Sequence, residues 1–390
     1  MAKVKIPVGP QHPAFKEPMR VDLTVDGELV VEADVIISYT HRGIEKAAET
    51  RSYVKDLYLV ERVCGICSHS HTTCFCQAVE EILDIEVPPR ALYLRSLVGE
   101  LERIQSHLLW VGVAGHELGW DTLLMYSWRD RERVMDMLEL ISGNRMNYAM
   151  NTIGGVRRDI EEEQLHDLKN GLDFLRERAN YYMHLFTEEE SFLKRTKGVG
   201  YLPTTLAKRL CAVGPTVRAS NVKMDVRADD PYAAYAELEF DVITTNTCDV
   251  WGRTYVKIME ILQSIRICNQ ILDDLPAGEL RVKAPVKIPE GEAVSRYEAP
   301  RGELIYYVKS NGTDKPERVK IRTPTLANWL VTVEMLKGVY IADVPIVVDA
   351  IDPCIACCAR MLSCNATTTP VTSVDLTALR LNRRNEPVME

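Results

Sequence analysis

No unbroken apolar run in the sequence approaches the roughly 18 residues that a membrane-spanning helix needs, so the chain is predicted to have no span of its own. Residues Met1 to Pro10 lack the apolar stretch of a secretory signal, which predicts a cytoplasmic protein. Any membrane link must then run through partner subunits. Basic stripes are missing as well. The formal net charge is −9, which argues against a nucleic-acid partner. There is no glycine-rich loop to cradle a nucleotide, no internal repeat, and no low-complexity linker within residues 1–360.

What is present is enough apolar material, 46% of 390 residues, to bury a sizeable core in one large domain or two smaller ones. The first forty residues alternate like strands: Val21, Leu23 and Val25 on one parity, then Leu29, Val31, Val35 and Ile37. A small N-terminal β-sheet follows from this. From about residue 46 the period becomes helical. Pro88 and Pro89 open a run with apolar positions Leu94, Leu97, Val98, Leu101, Ile104 and Leu108, one stripe of a long helix. A second stripe is Val134, Met137, Leu138 and Ile141, closed by Gly143. A third runs through Leu165, Leu168, Leu172 and Leu175, and a fourth from Ile258 to Leu272, stopped by Pro276. Between residues 280 and 322, Val282, Ala284, Val286 and Ile288 alternate, and Asn311-Gly312 divides two β-rich runs, a hairpin signal. The predicted fold class is mainly α within α+β. A central bundle of long helices carries a small N-terminal sheet and a β-hairpin insertion near 280–322. Residues 1–360 form the main domain. Residues 361–390, Thr-rich and then polar and charged, read as an appended extension.

The 11 cysteines are an odd number in a chain with no export signal, so reduced thiols and metal binding are the expectation rather than disulfides. Two Cys-x-x-Cys pairs stand out, Cys64 with Cys67 and Cys354 with Cys357. Gly65 lets backbone amides approach the sulfurs. Ser68 onward reads as a helix start, whose N-terminal amides lower a thiol pKa. Four soft sulfur donors suit zinc, an iron–sulfur cluster or a thiolate-bound transition metal. The pairs lie near opposite ends of the domain, so the fold itself must bring them together.

The residues around the pairs narrow this choice. Arg62 to His71 reads Arg-x-Cys-Gly-x-Cys-x-x-x-His, and Asp352 to Arg360 reads Asp-Pro-Cys-x-x-Cys-x-x-Arg. With Gly9-Pro10-Gln11-His12-Pro13, His41-Arg42-Gly43-Ile44-Glu45, Gly154 to Asp159, Val213-Gly214-Pro215 and Glu298 to Glu303, the sequence resembles the large subunits of nickel–iron hydrogenases. Arg360 closes the second motif where uptake enzymes carry His, as in the membrane-bound, energy-converting group. The resemblance implies that Cys64 and Cys354 are terminal nickel ligands. It implies that Cys67 and Cys357 bridge nickel to an iron carrying cyanide (CN) and carbon monoxide (CO). The activity it implies is reversible heterolytic cleavage of dihydrogen.

The same resemblance singles out further residues. Glu17 matches the proton-relay carboxylate beside a terminal cysteine, a task suited to a desolvated Glu. Arg301, between Pro300 and Gly302, matches an arginine whose guanidinium points at the open metal position; a structural ion pair is the plainer alternative. His71 lies one helical turn past Cys67 and can reach a sulfur as a donor. Asp352 is placed near the iron ligands, or caps the Pro353 turn. Glu45 matches a position that helps hold a secondary divalent ion, magnesium or iron. Cys358 stands where a small hydroxyl residue is commoner. Cys74, Cys76, Cys211, Cys248 and Cys268, and the aromatics Trp251, Tyr255, Tyr306 and Tyr307, are expected in the core.

Beyond the four motif cysteines no cluster-binding set remains, so electrons must leave through partners. The expected partners are a small hydrogenase subunit carrying an iron–sulfur cluster, a ferredoxin-like subunit, and membrane subunits that attach the protein to the cytoplasmic face. A competing reading comes from Gly9 to Pro13 and His41 to Gly43, which also resemble the quinone-site subunit of respiratory complex I, a metal-free relative. A zinc-stabilised scaffold is a third.

Overall fold

The computed structural model describes residues 3–360 and the strand backbone of 363–365 and 368–372. The N-terminal alternation folds as β1 (Val4–Val8), β2 (Arg20–Asp26) and β3 (Leu29–Ile36), an antiparallel sheet in the order β1-β2-β3. Val21, Leu23 and Val25 are buried, as their shared parity requires. A register shift at Thr24/Val25 moves the inward position on β3 to Val30. Leu29 is left 42% exposed.

Two short helices, α1 (Ile44–Ala48) and α2 (Tyr53–Glu61), lead to α3 (Ser68–Leu83). The bundle follows with α4 (Pro89–Glu117), α5 (Asp121–Ser142) and α6 (Glu162–Glu188). Short β4 (Asn151–Thr152) and β5 (Gly155–Val156) pair between the last two. Each boundary has a local cause. Pro89 occupies the first turn of α4, where its missing N–H costs nothing. Gly143 ends α5 in a left-handed conformation. Glu161 and Gln164 cap α6 reciprocally. Small helices α7 (Glu190–Thr196), α8 (Thr204–Arg209), α9 (Pro215–Arg218) and α10 (Val226–Asp229) precede α11 (Val250–Asp273), whose N-cap Asp249 accepts from Gly252 N–H. Helix α4 packs on α5 and α11, and α6 on α11, burying Leu94, Leu97, Leu101, Leu138, Leu172 and Ile261 in one core.

The insertion is a three-stranded antiparallel sheet, β6 (Gly291–Ala299), β7 (Gly302–Ser310) and β8 (Pro316–Arg322). The Asn311-Gly312 turn lies between β7 and β8, as the sequence predicts. The alternation of Val282 to Ile288 does not form a strand: Val282 N–H pairs with Gly154 O at 3.0 Å and Ile288 N–H with Thr313 O at 3.1 Å, but no ladder continues between them, and Val286 is 73% exposed. Helix α3 packs on β6 and β7, forming a second core that includes Phe75, Tyr306 and all four motif cysteines. The domain ends in α12 (Pro324–Met335), α13 (Val344–Asp349) and α14 (Ile355–Cys358). Within the predicted extension, β9 (Ser363–Asn365) pairs with β10 (Thr368–Thr372). The rest of that extension lies outside the described residues. Among the described residues no helix is long and apolar enough to cross a membrane.

Candidate metal centre

Cys67 is the N-cap residue of α3, and Cys354 is the N-cap residue of α14. Their loops meet: the sulfurs of Cys64 and Cys354, 290 positions apart, stand 3.5 Å from each other. Cys64 Sγ also accepts from the amides of Ile66 at 3.4 Å and Cys67 at 3.2 Å, the approach that Gly65 permits. The neighbouring thiols, Cys354 first and then Cys357 and Cys67, push the Cys64 thiol well below the ordinary range. Burial acts in the opposite direction and is outweighed. Cys67, bonded to that sulfur and buried, is pushed well up. Among the described residues, no three His, Cys, Asp or Glu side chains already stand around one metal-sized point; the Cys357 thiol donates to Cys354 O at 3.1 Å. The donor set fits a soft transition metal: four buried sulfurs, two from each loop, with a buried cation close by.

That cation is Arg301. Pro300 and Arg301 form the two-residue tip between β6 and β7, where Ala299 pairs with Gly302. Two glycines let another backbone press on this tip. A Cβ on Gly214 would lie 2.2 Å from the Arg301 carbonyl oxygen, and one on Gly302 would lie 2.6 Å from the Gly214 nitrogen. The Val213-Gly214-Pro215 and Pro300-Arg301-Gly302 segments are therefore two sides of one contact. The Arg301 guanidinium donates to Asp352 O at 2.6 Å, Asp352 Oδ1 at 2.9 Å and Ser106 Oγ at 3.1 Å. Burial opposes its charge, but Asp352 and Cys64 outweigh burial and raise its pKa.

Asp352 sits in the left-handed region at φ 55°, braced by its N–H to Asp349 O at 2.7 Å. Burial pushes its carboxyl up, but Arg301 and Lys16 hold it below the usual carboxylate range. Lys16 bridges Asp349 at 2.7 Å and Asp352 at 3.4 Å. Beside it, Glu17 Oε2 accepts from the amide of Ala356, between Cys354 and Cys357, at 2.9 Å. Glu17 thus lies against the second cysteine loop, where a relay would need it.

Other residues land differently from the sequence expectation. The Nδ1 of His71 is 2.7 Å from the Tyr306 hydroxyl, and among the described residues its ring makes no hydrogen bond to a sulfur. Burial pushes its pKa down to about 4, so the ring is neutral near pH 7. The Glu45 carboxylate is held by Ile321 N–H at 3.0 Å, Lys320 at 3.3 Å and Arg360 at 3.4 Å. Arg360 also donates to Ile321 O at 2.8 Å, so a guanidinium stands beside the oxygens of Glu45 and Ile321. Cys358 turns from the centre and accepts from the Trp329 indole at 3.1 Å, and burial pushes its thiol up to about 12. Cys74, Cys76, Cys248 and Cys268 are buried, but Cys211 is exposed. Tyr307 is on the sheet's outer side, bonded to Glu292 at 2.7 Å.

Ser106, Lys16, Asp349 and Tyr306 belong to the site's surroundings, and nothing in the sequence marks them for it. Their partners are remote in sequence: Ser106 meets Arg301 at a separation of 195, Tyr306 meets His71 at 235 and Lys16 meets Asp352 at 336.

Compared with known proteins, residues 117–288 and 280–360 match the family described as respiratory-chain NADH dehydrogenase, 49 Kd subunit. Residues 42–170 match the family described as nickel-dependent hydrogenase. The membrane-bound hydrogenase subunit alpha of Pyrococcus furiosus is 42% identical over 374 residues, covering 92% of this chain and 88% of that protein. An NADH-quinone oxidoreductase subunit of Dehalococcoides mccartyi is 41% identical over 348 residues, covering 88% of this chain and 95% of that one. A solved chain from the membrane-bound sulfane sulfur reductase, an archaeal respiratory membrane complex, aligns with a TM-score of 0.88 and 33% identity. That alignment covers 92% of this chain and 98% of the other.

Proposed function

We propose, from the premise that the chain belongs to the oxidoreductase family joining nickel-dependent hydrogenases to the 49 Kd subunit of respiratory NADH dehydrogenase, that it is the catalytic large subunit of an energy-converting nickel–iron hydrogenase. The observation that carries this reading is the meeting of four buried motif cysteines from two distant loops beside Arg301. A quinone-site subunit has no need of four thiols there.

Cys64, Cys67, Cys354 and Cys357 would together hold nickel and an iron with cyanide and carbon monoxide ligands. Such a centre, when bound, supplies heterolytic activation of dihydrogen. The chain's own residues do the rest. Arg301, fixed at three points, keeps a permanent positive charge beside the sulfurs and steadies negative charge as it develops. Glu17 takes and releases the proton at its carboxylate, against the cysteine loop. Asp352 fixes the orientation of Arg301 and, through its own backbone, the entry to Cys354. Burial of the thiols keeps bulk water from them.

Electrons would leave through a small subunit with an iron–sulfur cluster and a ferredoxin-like subunit. Membrane subunits would hold the assembly on the cytoplasmic face. Metal analysis of the subunit separated from its iron–sulfur partners tests this: nickel and iron in equal amounts support it. Absence of metal would favour the quinone-site reading, which the similarity to the NADH-quinone oxidoreductase relative supports, and zinc alone would favour a scaffold.

Glu17→Gln is expected to slow hydrogen–deuterium exchange by dihydrogen heavily while leaving the infrared bands of the iron ligands in place, since the amide keeps the shape but carries no proton to give. Exchange at the wild-type rate would remove Glu17 from the relay.

The extension gives a second prediction. The match to the 49 Kd family stops at residue 360. Residue 360 is also where the second cysteine motif ends. A protease cut between Arg360 and Met361 after nickel loading would let the cysteine loop close, with the attached tail holding Cys354 and Cys357 away from the first pair until then. Intact mass of active, nickel-loaded subunit is expected to end at Arg360; a full-length active subunit would make the extension permanent.

A further inference from the structure

The two cysteine loops come from opposite ends of the domain. A cavity of about 380 Å³ borders both, lined by Arg42, Val63, Ala356 and Cys357 among others. One side chain spans it. The Arg42 guanidinium donates to Arg62 O at 2.7 Å and Val63 O at 2.9 Å, on the chain entering Cys64. It also donates to Ala356 O at 2.9 Å, between Cys354 and Cys357. Among the described residues no other side chain donates to carbonyls of both loops. Thr40 and His41 add contacts to Ile355 O at 3.2 Å and Ala359 O at 3.4 Å, but only on the second loop. All three Arg42 acceptors are neutral carbonyls, so the fork serves position rather than charge pairing.

We propose that Arg42 is the positioning residue that sets the distance between the two cysteine pairs. Its importance for a metal centre rests on the functional reading above; its effect on sulfur spacing does not. A planar guanidinium can reach three carbonyls in fixed directions, whereas a lysine ammonium on a flexible stem cannot hold the same three.

The test uses the full-length, metal-free, reduced chain and the oxidant diamide. Cys64 and Cys354 together lose two protons and two electrons, forming one S–S bond, and the diamide azo group is reduced to the hydrazine. Peptide mapping reads the rate of this cross-link. Arg42→Ala is expected to slow it about tenfold or more, one hydrogen bond to a charged group being worth at least that factor. Arg42→Lys should fall between. The rate is compared only for protein whose circular dichroism matches wild type; if Arg42→Ala fails that check, Arg42→Lys carries the test. Cross-linking at the wild-type rate in folded variants overturns the proposal. In the metal-loaded complex, Arg42→Lys should also shift or broaden the infrared bands of the iron ligands, and an unchanged spectrum counts equally against it. A wild-type subunit that, isolated from its partners, carries neither nickel nor iron yet cross-links faster than its Arg42 variants would defeat the functional reading and leave this one standing.

Discussion

Replacing Cys64 by serine is expected to yield a folded protein with no nickel and no dihydrogen turnover. Cys64 touches the Cys354 sulfur and accepts from two amides, those of Ile66 and Cys67. A serine hydroxyl is nearly isosteric and can still accept from those amides, so the fold should lose only about 1 kcal/mol, the worth of an ordinary hydrogen bond. It is, however, a hard donor that stays protonated near neutral pH, and a soft metal site loses one of its ligands outright. Cys357→Ser should behave alike on the opposite side. Metal analysis beside a thermal melt separates the two outcomes. A Cys64→Ser protein with wild-type nickel content would end the assignment of these four residues.

Arg301→Lys should show the opposite pattern, metals retained and turnover lost by about 100- to 1,000-fold, the cost typical of removing one preorganised charge-stabilising donor. Lysine keeps the positive charge that Asp352 requires, so the buried pair is not left as an isolated carboxylate. It cannot donate in a fixed plane to Asp352 O, Asp352 Oδ1 and Ser106 Oγ together. The measurement is turnover per bound nickel. If the variant instead loses nickel, Arg301 acts by holding the Asp352–Cys354 segment, and the plainer structural reading is correct. Arg301→Ala is no substitute for this test, because it leaves the buried Asp352 with Lys16, at 3.4 Å, as its remaining ion-pair partner among the described residues and is expected to cost about 3–5 kcal/mol of stability.

The long helices are legible because each buries a stripe several turns long, and period survives local noise over that length. The helix start at Pro89 and the stop at Gly143 are legible because proline and glycine act through their own backbones. Short signals fail. Val282 to Ile288 alternates with strand parity, but alternation cannot report whether a partner ladder continues, and here only the two end residues find backbone partners. Leu29 falls on the buried parity by pattern, and a register shift that leaves no mark in the sequence turns it outward. The four cysteines can be found because their chemistry and spacing are local. Arg301 is marked by its setting between Pro300 and Gly302, and the structure supplies the cause, a hairpin tip pressed against Gly214. Arg42 shows in the sequence only as part of a motif. Its task is to join residues 20 and 314 positions away, which no local pattern encodes. Helical spacing points His71 toward a sulfur, but spacing cannot foresee that Tyr306, from β7, takes its Nδ1.

The central claim is that the four thiols hold a nickel–iron centre whose iron carries cyanide and carbon monoxide. Infrared spectroscopy of the complex purified from cells able to assemble such centres tests it most directly. The expected result is a set of sharp bands from iron-bound carbon monoxide and cyanide that disappears in Cys357→Ser. A complex prepared in the same way that shows none of these bands, in a chain folded and fully assembled with its partners, would contradict it.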